Sequence, residues 1–575
     1  MRYPQLKVQA ASRSIVDAFM GYNHNLRISD GEFFDMKNLT SDHYPVLSPR
    51  KKRGFYVKPA SPQGLIAKED ICYVDGTDFV MGETRINLGL SVASEDCPKQ
   101  LVSMGAYVII MPDKKYINTI NPEDCGDIDA SFTATGKVSF QLCSADGESY
   151  ENVTVSPDAP KEPENLQYWI DTSSQPNTLK QYSSTSGMWI GIATTYVKIQ
   201  HTGIGKNFNQ HDGITISGIT EDAVKALNTS AVVWAKGDDY IVITGILDTV
   251  ATQTGGVTIE RKMPAMDFVI ESGNRLWGCR YGENNAGDIV NEIYASKLGD
   301  FKNWQCFQGL STDSYRVSLG ADGPFTGAVT YLGQPLFFRE NCLHKIYGSY
   351  PAEFRLQTTP CRGVRRGCHK SLAMVDEVLY YCAGQEICAY DGALPEGVSK
   401  KLGRTAFQNA AAGSWGGKYY VSLEEKGERS LYVYDTGRKL WHREDDPGLT
   451  ALCACSGKLY GATEKAIVVL AGQADSTPVR WSAQTGPLSP ADPYKRYWSR
   501  ILPRLLLEPG SRLRVSVRYD GRGGWQTLGC ATGTGLRSFS LPMQTRRCES
   551  LELRLEGVGQ CKLYSLTLIC EEGAL

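Results

Sequence analysis

The sequence predicts an all-β protein: a six- or seven-bladed β-propeller with an inserted β-domain and a C-terminal β-sandwich. Five segments share a small or polar turn followed by a short aromatic and aliphatic run; they begin at Gly273, Gly333, Asp376, Gly416 and Ser456. The last three recur at about 40 residues, the length of one propeller blade. The composition agrees, because 58 Gly, 30 Tyr and 10 Trp favour short strands and tight turns.

Two more units of this kind lie earlier, at Glu69–Val74 and Gly105–Ile110. The chain between the second of them and the unit at Gly273 is far longer than one blade, so we expect an insertion. Loops leave a propeller at its flat faces, where added chain disturbs no blade packing. The insertion is predicted to be a hairpin part and a sandwich or barrel part, divided at the Pro-rich linker Ser156–Glu164, with a short helix at Thr220–Ala226.

The chain is therefore predicted to have five parts. They are an N-terminal arm and docking segment (1–63), the first blades (64–123), the inserted β-domain (124–264), the later blades (265–472) and a β-sandwich or jelly roll (473–575). The strict alternation of Arg512–Tyr519 predicts strands of the last part. We expect a helix at Ala10–Met20, and an N-terminal segment that completes one blade, because ring closure removes a free sheet edge. Trp304, Trp415 and Trp441 are expected to pack between blades.

The overall composition excludes some classes of function. A formal net charge of −2 provides no global attraction to nucleic acid or anionic membrane. No run of about 18 apolar residues is present, so we expect no membrane insertion. Met1–Lys7 contains no apolar segment, and the 17 cysteines are scattered through strand-like runs. We therefore expect folding in a reducing cytoplasm without a signal peptide.

Motifs of known chemistry were sought next. Cys361, Cys368 and His369, and the pair Cys453 and Cys455, come nearest to a metal site, but their spacing does not fit Cys-x2–4-Cys pairs. No nucleophile motif, phosphate loop or dinucleotide fingerprint occurs. We therefore predict no catalytic residues, no metal, no cofactor and no enzyme activity. Paired carboxylates for glycoside hydrolysis stay open, because their spacing is a property of the fold.

The densest basic cluster consists of Arg362, Arg365, Arg366 and Lys370. It is either an exposed loop between blades or a contact to DNA phosphate, which would bind the backbone without base specificity.

Three regions together resemble one family. In the arm the matching positions are Glu32, Asn38, Tyr44, Pro45, Leu47, Pro49, Arg50 and Arg53. In the blades they are Ile293–Trp304, Thr312, Asp313 and Tyr390–Gly392. In the last part they are Tyr519–Gly521, Arg546–Cys548, Leu553, Gly557, Tyr564 and Ser565. These positions resemble the tail hub or nozzle proteins of the packaged-DNA stabilisation family of tailed phages and prophages.

The resemblance implies a non-enzymatic virion structural protein, made in the cytoplasm of a bacterial host and located in the tail. It would form a homo-oligomeric ring below the portal, with a hexamer favoured, that joins the tail and retains packaged DNA in its channel. Its partners would be other tail and portal-connector proteins, and the arm positions would dock on a neighbouring ring. Two alternatives stay open: a tail-tip or fibre protein that binds host surface carbohydrate, and a propeller glycan hydrolase.

Overall fold

A computed structural model of the chain describes residues 11–92, 98–284, 286–320, 323–403, 405–472, 478–488, 495–544 and 546–571. Strands form nearly all of the regular structure. In these ranges the helical segments are three 3-10 turns, Asp222–Leu227, His369–Ser371 and Lys400–Leu402. No helix in the described part of the chain is both long and apolar enough to cross a membrane.

Seven antiparallel four-stranded sheets of the described chain form a propeller. Blade 1 is Pro62–Ala67, Ile71–Asp75, Asp78–Met81 and Thr84–Asn87, and blade 2 is Gln100–Met104, Tyr107–Met111, Lys115–Asn118 and Cys125–Asp127. Blade 3 is Phe268–Ser272, Arg275–Glu283, Ile289–Ala295 and Tyr315–Ser318, and blade 4 is Gly327–Tyr331, Gln334–Phe338, Cys342–Tyr347 and Arg355–Pro360. Blade 5 is Ala373–Val375, Val378–Cys382, Ile387–Tyr390 and Glu396–Gly397, and blade 6 is Gln408–Trp415, Lys418–Glu425, Glu428–Asp435 and Leu440–Asp445. The predicted all-β propeller is confirmed, with seven blades.

The ring closes through a strand from the N-terminal part of the chain. Blade 7 takes Ala451–Cys455, Lys458–Ala462 and Ile467–Ala471 from the end of the propeller, and Gly54–Val57 is its outermost strand. The innermost strand of blade 7 also packs against that of blade 1. The expected closure by an N-terminal segment is therefore present, and it covers an edge that would otherwise expose unpaired backbone groups.

The predicted tryptophans lie between blades. Trp304 is buried between blades 2 and 3, and Trp441 donates from Nε1 to the carbonyl of Val398 beside blade 5 over 3.0 Å. Trp415 of blade 6 donates from Nε1 to the carbonyl of Gly457 in blade 7 over 2.8 Å. Each indole thus supplies apolar area to a blade contact and satisfies its polar N–H at the same time.

The insertion contains a closed barrel between blades 2 and 3. Its strands are Ala130–Thr133, Lys137–Cys143, Tyr196–Gln200, Gly213–Ser217, Ser230–Lys236, Tyr240–Thr244, Ala251–Thr254 and Thr258–Arg261. Ala130–Thr133 continues directly into Lys137–Cys143, and Ala251–Thr254 continues directly into Thr258–Arg261. Hydrogen bonds such as Ala134 N to Val257 O (2.8 Å) extend the strand pairing across the short gaps between them. The sheet therefore closes on itself around an apolar interior that includes Phe140, Phe208 and Ile259.

A second, four-stranded sheet projects from this barrel. It is formed by Thr154–Ser156, Tyr168–Asp171, Thr178–Ser183 and Met188–Gly191. The linker Ser156–Glu164 lies inside this small sheet, so the predicted division of the insertion at the linker is wrong. Ala130–Cys143 belongs to the barrel instead, because its partners come from strands far along the chain.

The sandwich is built from both ends of the chain. Its first sheet holds Ala11–Val16, Arg496–Leu507, Gly535–Ser538, Leu541–Pro542, Arg547–Cys548 and Cys561–Glu571. Its second sheet holds Gly21–Tyr22, Glu32–Lys37, Arg480–Thr485, Arg512–Tyr519, Arg522–Thr532 and Leu551–Val558. A short hairpin, Leu39–Thr40 with Ser48–Pro49, follows in the arm. The helix expected at Ala10–Met20 is wrong, because Ala11–Val16 pairs with the last long strand of the sandwich.

Candidate functional site

The arm predicted to dock elsewhere is folded onto its own chain. Leu47 is 2% exposed and exchanges backbone hydrogen bonds with Leu563 of the sandwich, at 3.1 and 2.9 Å. Pro49 pairs with Leu39 in the arm hairpin, and the Tyr44–Pro45 peptide bond is cis. Leu47 therefore seats the arm on the sandwich of its own chain.

Glu32 anchors the beginning of the arm. Its carboxylate accepts hydrogen bonds from Asn23 Nδ2 at 2.7 Å and Ser29 N at 2.8 Å, and pairs with Lys401 at 3.0 Å. Burial pushes the pKa of Glu32 upward, but these donors outweigh it and hold the pKa below its ordinary value. The arm is thereby fixed to the turn before blade 6.

A compact polar cluster, which we call the joint, links the arm to blade 6; it consists of Asn38, Arg50, Arg53, Glu444 and Asp445. Arg50 lies 3.2 Å from Glu444 and 2.7 Å from Asp445, and Arg53 lies 3.0 and 3.3 Å from the same two carboxylates. Three of the four charged side chains are nearly buried, at 11%, 12% and 8% exposed, and Asp445 is 41% exposed. Paired guanidinium and carboxylate groups of this kind satisfy each other's charge.

Asn38 extends the joint to the sandwich. Its Oδ1 accepts from Arg50 Nε at 3.0 Å and from the backbone N–H of Asp445 at 3.1 Å, while its Nδ2 donates to the carbonyl of Arg480 at 2.9 Å. Its backbone is in the left-handed region, with φ of 61°, where Asn is favoured over other side chains. One asparagine thus contacts arm, propeller and sandwich.

The electrostatics of the joint follow from its burial. Burial raises the pKa of the Asp445 carboxyl, but Arg53 and Arg50 beside it outweigh that and keep the pKa below its ordinary value. The carboxylate therefore stays ionised and keeps both of its ion pairs at neutral pH.

The predicted basic cluster does not form one patch. Arg362 pairs with Glu386 and donates to the carbonyl of Pro395 at 3.4 Å. Lys370 turns inward, and burial lowers its pKa. Arg366 is exposed and Arg365 is half-buried. Of the four predicted phosphate contacts, Arg362 and Arg366 are thus exposed, although the charge of Arg362 is paired with Glu386, and Arg365 and Lys370 are half-buried.

The cysteine and histidine candidates are packed inside the blades. His369 lies with its ring 5.3 Å from that of Phe268, and burial lowers its pKa to about 4. Cys368 is buried next to Cys382, and Cys455 is buried in blade 7. Among the described residues, no group of three or more His, Cys, Asp or Glu side chains is arranged to hold a metal ion.

The segment Ser296–Trp304, which follows the third strand of blade 3, also has a packing role. Asn303 is 1% exposed; its Nδ2 donates to Asp212 of the barrel at 3.0 Å, and its Oδ1 accepts from Gly213 N at 2.8 Å. Asp212 in turn pairs with Arg261. This segment therefore attaches the barrel to blade 3.

An open groove of about 530 Å³ lies beside blade 6 and the arm. Phe34, which is half-buried, contributes aromatic surface, the buried Tyr22 and Tyr432 lie behind it, and Glu425 and Glu428 contribute carboxylates. The two glutamates are direct partners across the hairpin that joins two strands of blade 6. Such partners have Cβ atoms about 5 Å apart, so aromatic surface and two neighbouring carboxylates share one groove.

Sequence reasoning missed a second basic surface, on the outer side of the second sandwich sheet. We call it the arginine face: Arg480, Arg512, Arg514, Arg518 and Arg554. Its signal was local charge, since residues 495–562 hold 13 Arg and Lys against five Asp and Glu, while the whole chain has a net charge of −2. The net charge of the whole chain therefore does not show the local excess of positive charge in residues 495–562.

No family model and no curated protein matches the chain. Solved structures do match, at low identity. An exo-β-1,3-galactanase from Phanerochaete chrysosporium with galactose is 9% identical, covers 52% of this chain and 94% of its own, and has a TM-score of 0.19. The extracellular domain of a putative hybrid two-component system from B. thetaiotaomicron is 8% identical over 86% of this chain and 97% of its own, with a TM-score of 0.21. Trypanosoma rangeli sialidase is 8% identical over 90% and 96%, with a TM-score of 0.18.

Several of these matches are glycoside hydrolases, including one described as a GH43 enzyme. They contradict the prediction that the chain is not an enzyme, and that prediction is withdrawn. At such identities and TM-scores the matches assign no activity, substrate or catalytic residue to this chain.

Proposed function

We propose that this chain is a structural subunit of the tail of a tailed phage or prophage, assembled as a ring below the portal. The observation that carries the proposal is the joint. Arm positions that resemble the tail hub family, Asn38, Arg50 and Arg53, form one connected set of ion pairs and hydrogen bonds between arm, blade 6 and sandwich. A ring that connects a portal to a tail carries load, which requires domains that do not move against each other.

The partners follow from the same proposal. The ring is homo-oligomeric, with a hexamer favoured by the resemblance, and it contacts other tail and portal-connector proteins. Packaged DNA passes through its channel and is contacted without sequence specificity. The exposed arm side chains Leu26 and Phe55, 97% and 67% exposed, are available for a neighbouring subunit.

Electron microscopy of particles made by the phage that encodes the chain tests this proposal. We expect several copies of the propeller, barrel and sandwich around the tail axis beneath the portal. Sedimentation of the purified protein should show a ring-sized oligomer, either alone or with its connector partner. A strict monomer that is absent from particles would refute it.

A second candidate function is hydrolysis of a glycan in the groove beside blade 6. The specific observation is the pair Glu425 and Glu428, which lines the same groove as the half-buried ring of Phe34. Glycoside hydrolysis uses two carboxyl groups about 5–9 Å apart, and aromatic surface packs against the apolar faces of sugar rings.

A screen of the purified chain against glycan substrates tests the second candidate. Turnover that is lost in Glu425→Gln and in Glu428→Gln, and kept in Glu464→Gln, would support it. Glu464 is the control because it is an exposed glutamate of blade 7 outside the groove. No turnover by the unaltered chain, or turnover that survives both groove variants, would reject it.

A further inference from the structure

We propose that the arginine face of the sandwich binds the phosphate backbone of double-stranded nucleic acid. This proposal rests on the proposed function, because a phage tail would bring DNA to this surface. The binding itself can be measured on the isolated chain.

Alternating burial puts the five arginines on one side of the sheet. Along one strand Leu513, Val515 and Val517 are fully buried, while Arg512 and Arg514, which alternate with them, are exposed. The same alternation exposes Arg480 beside buried Trp481. Since side chains alternate between the two faces of a strand, the guanidinium groups share the outer face.

The strand register determines how the arginines are spaced. Arg480 and Arg512 are both paired with Val558, from opposite sides. They are therefore two strand spacings apart, about 9.6 Å, and Arg512 and Arg514 are about 6.8 Å apart along one strand. Spacings of this size let each guanidinium contact a different phosphate of a backbone.

Two further arginines are held in position by a tryptophan. Arg554 and Arg518 lie over the ring of Trp525, with guanidinium carbons 4.2 and 4.9 Å from its centre. Arg554 also donates to Gln484 at 3.0 Å, and Arg518 pairs with Glu552. Stacked and hydrogen-bonded guanidiniums lose little conformational freedom when they bind an anion.

The other three arginines of the arginine face supply its net positive charge. In the described part of the chain, no ion pair engages Arg480, Arg512 or Arg514. The exposed carboxylate in their midst is Glu556, which is paired in register with Arg514. Three unneutralised guanidiniums against one carboxylate leave a net positive surface.

The shape of the face favours nucleic acid over an acidic protein. The small side chains of Ser482 and Ser516 lie between the arginines on this face, so it presents guanidinium charge with little apolar side chain between. A duplex presents evenly spaced phosphates that need charge alone for recognition. An acidic protein partner is therefore the competing outcome of the test.

Fluorescence anisotropy of a labelled random-sequence duplex, titrated with the full chain at several salt concentrations, tests the proposal. The logarithm of the association constant should fall linearly with the logarithm of salt concentration. The double variant Arg512→Ser/Arg514→Ser should reduce that slope by about 1.8, since each lost phosphate contact accounts for about 0.9. Arg512→Lys/Arg514→Lys should retain the slope, because it retains the charges.

The matched control is Arg500→Ser/Arg504→Ser, which removes two exposed arginines from the opposite sheet of the sandwich. It should leave the slope unchanged. An equal loss in both double variants would overturn the proposal, and so would binding to poly-glutamate without binding to DNA. Failure of duplex binding by a chain that is present in tails would reject the arginine face and leave the proposed function standing.

Discussion

Single side chains decide how the three parts of this protein hold together. Glu444 is 8% exposed at its side chain and is compensated by Arg50 and Arg53. The cost of desolvating these charges is already part of the free energy of folding, so removal of one partner leaves the other charge buried without compensation. A small change in the joint is therefore expected to have a large electrostatic effect.

The double variant Arg50→Ala/Arg53→Ala should destabilise the protein by about 3 kcal/mol, because it leaves a buried carboxylate without a counter-charge. The measurement is the thermal unfolding temperature. The control Arg362→Ala/Arg366→Ala also removes two arginines, but from an exposed loop, and should cost about 1 kcal/mol or less. Equal losses in the two variants would show that the joint contributes no more than surface charge.

His442 is expected to make stability depend on pH. It is fully buried in blade 6, neither of its ring nitrogens has a hydrogen-bond partner among the residues that the structure describes, and burial lowers its pKa to about 3. Lys418 beside it also lowers the pKa, while Asp435 and Asp42 raise it slightly. The folded protein therefore keeps this ring neutral where the unfolded chain, with a pKa near 6.5, takes up a proton.

The direction of this pH dependence follows from the difference in proton binding between the folded and unfolded states. The stability is complete above about pH 6.5, and each pH unit below it removes about 1.4 kcal/mol until the folded pKa is reached. His442→Met should flatten the fall in unfolding temperature between about pH 6.5 and 4, because no proton uptake remains at that position. The control is His24→Gln, at an exposed position. Its unfolding temperature should fall with pH as that of the unaltered chain does. A His442→Met curve parallel to that of the unaltered chain would contradict the argument.

Among the elements, the closing strand Gly54–Val57 is the most informative. It pairs with Ile467–Ala471 and covers the outer edge of blade 7. Phe55→Pro should break this pairing, since proline removes a backbone donor and is excluded from paired strand interiors. We expect a lower unfolding temperature and faster cleavage by protease near the arm.

The control at the same position is Phe55→Ala. The Phe55 side chain is 67% exposed, so its truncation removes little buried area and should leave both measurements nearly unchanged. If both substitutions had the same effect, the side chain and not the strand pairing would be responsible.

The blades could be predicted from sequence because each is local. Gly416–Val421, for example, contains its own turn and its own buried run, and its partners lie within the next few residues. The strand Ala11–Val16 could not be found in this way. Its partner is Cys561–Glu571 at the other end of the chain, and an isolated edge strand with Ser and Arg has no pattern that separates it from a helix.

The sites were harder to predict than the fold. The arm positions Asn38, Arg50 and Arg53 were singled out by resemblance, and the structure gives them an intramolecular role that no local pattern shows. Their docking on a neighbour stays a prediction. The basic cluster at Arg362 is continuous in sequence, but in the structure Arg362 is paired with Glu386 and Lys370 is half-buried, and no local pattern shows either.

In the whole molecule, two polar contacts are among those that join the propeller, the barrel and the sandwich, and the propeller and sandwich also share one apolar cluster. The joint connects sandwich and propeller, and the buried contact of Asp212 with Asn303 and Arg261 connects barrel and propeller. Both contacts combine charge with several hydrogen bonds, which fixes orientation better than apolar packing alone. Fixed angles between these parts are what the proposed ring requires.

Electron microscopy of the intact particle tests the central claim most directly. Our account predicts a ring of copies below the portal, each with a seven-bladed propeller, a barrel and a sandwich, and with density for DNA on the ring axis. Particles in which that position is filled by a different protein, together with a purified chain that stays monomeric, would contradict it.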